Sequence, residues 1–195
     1  AMKSVITELP TEYAPDCIPK ATTSIVSGLR SADVAVKLEA IDILTKILER
    51  FGPIVQKEHA NLQKTLTTEL DSDSSSIRKR AITALAALSV HSGDQLFSSL
   101  VEALLKNIQG STGENLRTNI QAVSSISRTA GARLAKYLDT IVPLLLDSAV
   151  ELGGEEEEEE DEGDEVRENI LQAYESLILR CPQEITPYLE VVIDQ

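Results

Sequence analysis

Histidine and cysteine, the side chains that most often ligate metals or act as nucleophiles, are rare in this 195-residue sequence. His59 and His91 lie far apart, and we expect a surface or capping role for them instead of metal binding. Cys17 and Cys181 lie near opposite ends, with no CxxC spacing and no histidine pair that could complete a zinc site. The sequence therefore predicts no metal site, no cofactor and a reducing intracellular location.

Motifs that would activate a nucleophile or cradle a phosphate are also missing from the sequence. No serine lies in a GxSxG turn, and no glycine loop of the form GxxxxGK[ST] occurs. No catalytic residues are predicted, and we expect that the chain is not an enzyme. An enzyme whose site these motifs do not reveal stays open as a hypothesis of a different class.

Basic residues, each preceded by an apolar one, recur at long and similar intervals. These four repeat anchors are Lys37, Arg78, Arg117 and Arg167, and the last interval is the longest of the three. The row could be a binding stripe, but repetition at one structural position favours a scaffold role. Acids just upstream could pair with the anchors or cap the helices that carry them. These acids are Asp33, Asp73, Glu114 and Asp164.

The anchors begin segments with helical periodicity, because apolar or small residues follow at three, six and seven positions after most of them. Each segment ends about four helical turns after its anchor, at Gly52, Gly93, Gly131 or Pro182. Glycine there fits a left-handed C-terminal cap, and proline ends a helix by removing a donor. A second amphipathic segment follows each stop, so each unit is predicted to contain two helices, A and then B, with the anchor on helix B.

A period of about 40 residues with two helices per unit resembles HEAT repeats. We predict an all-α fold, a HEAT-repeat (armadillo-like) α-solenoid of stacked helical hairpins. The predicted repeats are 16–52, 53–93, 94–131 and 132–182, with the start of a further repeat at 183–195. That last unit would leave the apolar face of Tyr188, Leu189 and Val192 without its neighbour.

The opening Ala-Met is typical of a cloning remnant, so we expect a piece of a longer chain.

An acidic loop insertion at 153–165 accounts for the long last interval. Glu155 to Glu165 supply ten of the 32 acidic residues, and without them the net charge of −14 falls to about −4. The run fits either a solvated loop or a lure for a basic partner. We favour the loop and expect 155–162 to be mobile and dispensable for folding.

The charge argues against binding nucleic acid or an anionic membrane, and no apolar run is long enough to span a bilayer.

Three blocks are more specific than a generic repeat: "IRKRAITALAAL", "SISRTAGARLAKYLDTIVPLLL" and "ILQAYESLILRCPQEITPYL". They are similar to the N-terminal part of the cullin-associated, neddylation-dissociated family of HEAT-repeat solenoids. The resemblance implies a segment that grips an unneddylated cullin and its RING subunit in a factor that exchanges the substrate receptors of cullin–RING ubiquitin ligases. We expect a cytoplasmic and nuclear location and no small-molecule substrate. A generic HEAT adaptor, of the phosphatase-scaffold or transport-receptor type, is the alternative.

Polar residues two and five positions after each anchor lie beside the predicted apolar face of helix B. Second helices commonly line the concave side of such solenoids, so these positions should point partly toward the groove. Mixed charge there suits a specific protein partner. The predicted protein-binding residues are Arg80, Thr83, Asn119 and Gln172.

Overall fold

The structure is a computed structural model that describes residues 2–153 and 160–190, with side chains for 2–150 and 164–190. Every regular element in these ranges is helical, and no strand occurs among them. The all-α, HEAT-repeat (armadillo-like) solenoid class of the sequence analysis is confirmed. None of the described helices combines the length and apolarity that a membrane crossing requires.

Ten α-helices are found in the described ranges. They are α1 (Met2–Glu8), α2 (Ala14–Leu29), α3 (Val34–Phe51), α4 (His59–Thr68), α5 (Ser75–His91), α6 (Asp94–Gly110), α7 (Gly113–Ala130), α8 (Leu138–Gly153), α9 (Glu160–Arg180) and α10 (Pro182–Ile185). Short 3₁₀ segments connect or extend them at Thr11–Tyr13, Gly52–Glu58, Glu69–Asp71, Gly131–Tyr137 and Thr186–Tyr188. The predicted B helices correspond to α3, α5, α7 and α9.

The chain forms two compact units, Ala1–Ser98 (unit 1) and Ser99–Gln195 (unit 2). In unit 1, α3 lies at the centre and packs against α1, α2 and α5. Its apolar positions Ile41, Leu44 and Leu48 are completely buried. Burying each such side chain is worth about 1.5–3 kcal/mol, so this interhelical packing holds the unit together.

In unit 2, α9 packs against α7 and α8. The small residues Ser124 and Ser125 of α7 are buried, as expected for close helix approach. The buried Tyr174 hydroxyl of α9 donates a hydrogen bond to the Val142 carbonyl oxygen of α8 at 3.0 Å. Burial raises the pKa of Tyr174, so the phenol stays protonated and keeps this link between the two helices.

The helix starts differ from one B helix to the next. Asp33 caps α3, because its carboxylate accepts hydrogen bonds from the Ala35 and Val36 amides at 2.8 and 3.3 Å. The start of α9 differs from the expectation: α9 begins at Glu160, inside the predicted loop 153–165, and α8 extends to Gly153. The mobility expected of 155–162 falls largely on residues outside the described ranges, as does Val192 of the predicted apolar face.

The glycines at the ends of α3 and α7 are not left-handed caps, and that prediction is wrong. Gly52 and Gly131 have φ of −46° and −53°, inside the right-handed helical region, and the described glycine with positive φ is Gly113. Their role is steric. A Cβ on Gly52 would lie 2.2 Å from the His91 ring, and one on Gly131 would lie 3.0 Å from Arg180 Cγ. Each glycine leaves room for the end of the next B helix, and the space is tightest at Gly52.

Candidate protein-binding surfaces

The repeat anchors make structural contacts, although these differ from one repeat to the next. Lys37 donates to both carboxylate oxygens of Glu69 at 3.0 Å, linking α3 to the segment after α4. Arg78 donates to the Ser72 carbonyl oxygen at 2.6 Å and ties down the turn before α5. Asp164 lies 3.5 Å from its own anchor, the exposed Arg167.

Arg117, the anchor of α7, is partly buried, and its upstream acid Glu114 lies in the first turn of that helix. A carboxylate in the first turn interacts favourably with the helix dipole. Of the anchor contacts given above, that of Lys37 with Glu69 links neighbouring repeats, and the scaffold role of all four anchors stays a prediction.

Of the surface or capping role expected for His59, the surface alternative is wrong, while its contact with Gly52, the C-cap residue of α3, fits capping. The side chain is 2% exposed, and its Nε2 lies 2.9 Å from the Gly52 carbonyl oxygen, an acceptor to which Nε2–H must donate. Burial lowers the pKa of His59 and also lowers the pKa of His91. The two histidines are far apart in the sequence, but Gly52 contacts both in the fold, where the neutral imidazoles serve packing.

Arg80 belongs to a charged cluster on three helices of unit 1. Its guanidinium pairs with Asp42 of α3, and Lys3 of α1 contacts the same carboxylate at 2.6 Å and Glu39 at 3.1 Å. The hydrogen bonds to Asp42 and then Glu39 raise the pKa of Lys3. The cluster, defined by Lys3, Glu39, Asp42 and Arg80, joins the positions two and five after the anchors on neighbouring B helices. It presents a mixed-charge surface with partly exposed side chains.

Thr83 and Asn119 occupy different environments. Thr83 is exposed on α5, and its hydroxyl donates to the Lys79 carbonyl oxygen one turn earlier. Asn119 is 3% exposed; its amide donates to the Asn115 carbonyl oxygen at 2.7 Å and its Oδ1 accepts from Asn107 at 3.4 Å. The premise that Asn119 points toward an open groove is therefore wrong, because α6 supplies its polar partner and covers it.

Gln172 lies on α9 in unit 2 and is half-buried in a polar network. Its Oε1 accepts from Arg128 of α7 at 2.7 Å, and its Nε2 donates to Glu168 at 2.9 Å. Arg128 also donates to the Ser125 hydroxyl at 2.9 Å. The network repeats in unit 2 what Arg80 does in unit 1, since a long basic side chain joins two adjacent B helices.

The sequence analysis missed α1, although this helix supplies Lys3 to the charged cluster. Seven residues make fewer than two full turns, so no periodicity identifies the helix, and only Ile6 is buried. Arg50 of α3 secures it by donating to the Ile6 carbonyl oxygen at 3.0 Å. A contact between two residues so distant along the chain has no local sequence signal.

Two observations on the described side chains concern metal binding and thiol reactivity. No group of three histidine, cysteine, aspartate or glutamate residues that could hold a metal ion occurs among the described residues. Cys181 is buried, its thiol lies 3.3 Å from the Gly131 carbonyl oxygen, and burial raises its pKa away from the reactive thiolate form. The candidate contact residues Arg80, Thr83 and Gln172 lie on α5 and α9.

Comparison with known proteins begins with a family model described as "Sister chromatid cohesion protein PDS5 protein", which matches residues 3–179. Among solved structures, karyopherin Kap121p bound to the SUMO protease Ulp1p superposes on 99% of this chain with a TM-score of 0.71. That match covers 19% of the Kap121p chain at 18% sequence identity, which shows the shared fold alone.

Curated relatives match nearly the whole chain. The cullin-associated NEDD8-dissociated protein 1 of Drosophila melanogaster is 32% identical over 197 residues, 99% of this chain and 15% of that protein. The cullin-associated NEDD8-dissociated protein 2 of Mus musculus is 34% identical over 198 residues, 96% of this chain and 15% of that protein. The chain therefore belongs to the helical-repeat family that the PDS5 model describes, and along nearly its whole length it is a relative of the cullin-associated NEDD8-dissociated proteins.

Proposed function

We propose that this chain is a cullin-binding scaffold segment of a substrate-receptor exchange factor for cullin–RING ubiquitin ligases. In this proposal it grips the C-terminal region of an unneddylated cullin together with its RING subunit. The observation that carries the proposal is the similarity to cullin-associated NEDD8-dissociated proteins over 96–99% of the chain. Because the chain spans about 15% of those relatives, we assign it the grip alone and not the whole exchange reaction.

The B-helix surfaces suit such a grip. Arg80 and Thr83 lie on α5 in unit 1, where the charged cluster offers both signs of charge to a partner. Gln172, with Arg128, presents a polar surface in unit 2. Alternating charges select a specific protein partner because a mismatched surface would meet like charges. We include Arg80, Thr83 and Gln172 in the contact surface and omit Asn119, since a buried amide with its own partners is not available to a ligand.

The proposal needs no catalytic step. The segment would act by occupying a cullin surface, without a cofactor, a nucleic acid, a membrane or a small-molecule substrate. We propose that it acts in the cytoplasm and nucleus. Polar groups on rigid helices provide a preformed surface, so binding orders few additional residues.

The test is a titration of this chain against an unmodified cullin–RING complex and against the same complex carrying its ubiquitin-like modifier. We expect measurable binding to the unmodified complex and weaker binding to the modified one. Equal affinity for both would remove the preference for the unneddylated form. Binding to neither would contradict the cullin proposal and favour a general HEAT adaptor of the transport-receptor or scaffold type.

A charge reversal locates the contact surface. Arg80→Glu should weaken cullin–RING binding by about 1 kcal/mol or more if Arg80 is an interface anchor, and Thr83→Glu should act in the same direction. Because Arg80 also pairs with Asp42, Arg80→Gln separates the loss of a contact from repulsion between two acids. Lys106→Glu, an exposed site on α6 with the same change of charge as Arg80→Glu, is the matched control. If Arg80→Glu and Gln172→Ala together leave affinity unchanged while the chain still binds, the contact surface lies elsewhere.

A further inference from the structure

An open pocket of about 280 Å³ lies in unit 1 where the end of α2, the first turn of α3 and α4 come together. Seven of its eight lining residues have polar or charged side chains, and these include three cations, Arg30, Lys37 and Lys64, and one acid, Glu69. The pocket takes no part in the charged cluster around Asp42 or in the contacts of Gln172. Its charged lining therefore needs an explanation separate from the proposed cullin surface.

The charges in this pocket do not balance. Lys37 and Glu69 neutralise each other through a pair of 3.0 Å hydrogen bonds, and both side chains are largely buried. Arg30 and Lys64 are exposed, and no acidic side chain pairs with either of them among the described residues. The lining thus carries a net charge of about +2 that no neighbouring carboxylate offsets.

This excess of positive charge occurs in a favourable electrostatic setting. Unit 1 contains 11 lysines and arginines and 12 aspartates and glutamates, a net charge of −1, although the whole chain carries −14. Without the pocket's own +2, the rest of unit 1 carries −3, a small part of the −14 of the whole chain. A concave site with one sign of charge also concentrates its counterion.

The donors that the lining leaves available to a ligand are those of two cations and one amide. The two threonine hydroxyls of the lining donate to carbonyl oxygens within α4: Thr65 donates to Asn61 at 3.0 Å and Thr68 to Lys64 at 3.1 Å. The hydroxyl protons are therefore already used in hydrogen bonds. The hydroxyl oxygens have only lone pairs left, which would repel a ligand oxygen. The remaining donors are the fork of Arg30, the ammonium of Lys64 and the Asn61 amide, and the two cations can each bind a separate carboxylate, as successive acidic residues of a peptide provide.

We propose that this pocket binds the carboxylate side chains of an acidic peptide segment in a partner protein. Two carboxylates would neutralise the two unpaired cations, with Arg30 forming a bidentate contact and Lys64 a single one. The Lys37–Glu69 pair forms the fixed wall and does not need to open. The proposal does not depend on the identity of the partner at the B-helix surfaces, so either one can fail without the other.

The direct test uses the whole chain and a fluorescein-labelled peptide, Gly-Asp-Glu-Asp-Glu-Gly, measured by fluorescence anisotropy at low ionic strength. The amide peptide Gly-Asn-Gln-Asn-Gln-Gly is the ligand control. We expect saturable binding of the acidic peptide alone, with an affinity that falls as salt is added because the contacts are ionic. The double variant Arg30→Gln/Lys64→Gln should bind at least about tenfold more weakly, since it removes both charge-assisted contacts.

Two further variants make the outcome specific to the pocket. Lys20→Gln removes a cation from an exposed position of α2 outside the lining and should leave the affinity unchanged. Thr68→Lys adds a cation to the exposed rim and should tighten binding, a gain that misfolding cannot mimic. Far-UV circular dichroism of each variant checks that the helices are retained.

Three outcomes would overturn the proposal. The wild-type chain could fail to bind the acidic peptide at low salt, or Arg30→Gln/Lys64→Gln could bind as well as the wild type. Inorganic phosphate could also displace the peptide at concentrations at which acetate has no effect, which would make the pocket a phosphate site. If Arg30→Gln/Lys64→Gln still binds the cullin–RING complex, the proposed function stands. The peptide measurement then shows by itself whether the pocket binds acidic peptides.

Discussion

The ends of α3 in unit 1 and of α7 in unit 2 solve the same packing problem with different side chains. Each helix is followed by a glycine, and each glycine lies under the last turn of the next B helix in its unit. In unit 1 the side chain above Gly52 is the ring of His91, and in unit 2 the side chain above Gly131 is the aliphatic stem of Arg180. The two side chains stand at the same place in the repeat, equally far along the chain from the anchors of their helices.

The difference between the two sites is one of rigidity and charge. An imidazole has two rotatable bonds and a flat ring, whereas the arginine stem is flexible and its charged end can stay in water. The site in unit 1 also contains a second histidine, because His59 bonds to the carbonyl of Gly52. The repeat therefore fixes the close approach of the backbone, while the side chain above it decides how that approach responds to mutation and to pH.

The largest expected effect is that of Gly52→Ala. Its backbone is already helical, so alanine would fit the main chain, but the new Cβ would lie 2.2 Å from His91 Cδ2 and 2.6 Å from Cγ. Since a ring cannot bend away as a flexible stem can, we expect a loss of about 1–3 kcal/mol in the free energy of unfolding. Chemical denaturation followed by circular dichroism measures the loss.

Gly131→Ala and Gly93→Ala complete that comparison. The Cβ of Gly131→Ala would lie 3.0 Å from Arg180 Cγ, a contact that a small shift of the stem relieves, so we expect a change below about 1 kcal/mol. Gly93 has no heavy atom within 4 Å of its added Cβ and no positive φ, so alanine should be neutral or stabilising by about 0.4–1 kcal/mol. Equal losses at Gly52 and Gly131 would show that ring rigidity is not the cause.

The second prediction is a pH dependence that originates in unit 1, because both histidines of the chain lie there. Nε2–H of His59 donates to Gly52, so a second proton would have to enter at Nδ1, which is buried without a hydrogen-bond partner. Burial thus lowers the folded pKa below the ordinary 6.5. Below about pH 6.5 the unfolded chain binds more protons than the folded one, so the free energy of unfolding decreases as the pH is lowered, by at most about 1.4 kcal/mol per pH unit per histidine.

The loss should begin near pH 6.5 and level off below the folded pKa values of the two histidines. Measuring the free energy of unfolding from pH 7.5 to 5.0 gives the slope, and the variant His59→Gln/His91→Gln should flatten it whatever its absolute stability. Carboxylates titrate lower, near pH 4, and contribute outside this window. A slope that persists without the histidines would show that other groups of the chain cause the effect.

Periodicity predicts much of this fold because burial repeats with the helix. Apolar spacing after the anchors identified all four B helices, and the helices end within two residues of Gly52, Gly93, Gly131 and Pro182. The apolar spacing could not explain why the residues after α3 and α7, Gly52 and Gly131, are glycines. The reason is a side chain at the end of the next B helix, which lies against each of them. The local rule of the left-handed glycine cap predicted where α3 and α7 end, but the reason for glycine there is steric.

The candidate surfaces were less predictable than the helices for a related reason. Arg80 and Asn119 stand at the same repeat position, two residues after their anchors, and both are polar, but Arg80 is partly exposed and Asn119 is buried. Asn107 of α6 makes the difference by offering a polar partner that lets the amide be covered. Sequence spacing identifies a face of a helix, but what covers that face depends on residues from another helix.

The smallest expected effects come from the anchors. At the same repeat position, one anchor makes a largely buried ion pair and another an exposed one. In unit 1 the ammonium of Lys37 is bonded to both oxygens of Glu69 at 3.0 Å, with 20% and 12% of the two side chains exposed. In unit 2 Arg167 reaches Asp164 one turn earlier at 3.5 Å, with 50% and 74% exposed. Of these two pairs, the one in unit 1 joins separate elements.

We therefore expect Lys37→Ala to lower the free energy of unfolding by about 1 kcal/mol, because Glu69 would lose its partner in a partly buried site. Arg167→Ala should change it by less than about 0.5 kcal/mol, because water replaces an exposed pair within one helix at little cost. Glu69→Gln tests the same link from the other side, and its effect should not add to that of Lys37→Ala in the double variant. Additive losses, or a larger effect at Arg167 than at Lys37, would show that the anchors stabilise the units through their own helices and not through the contact between repeats.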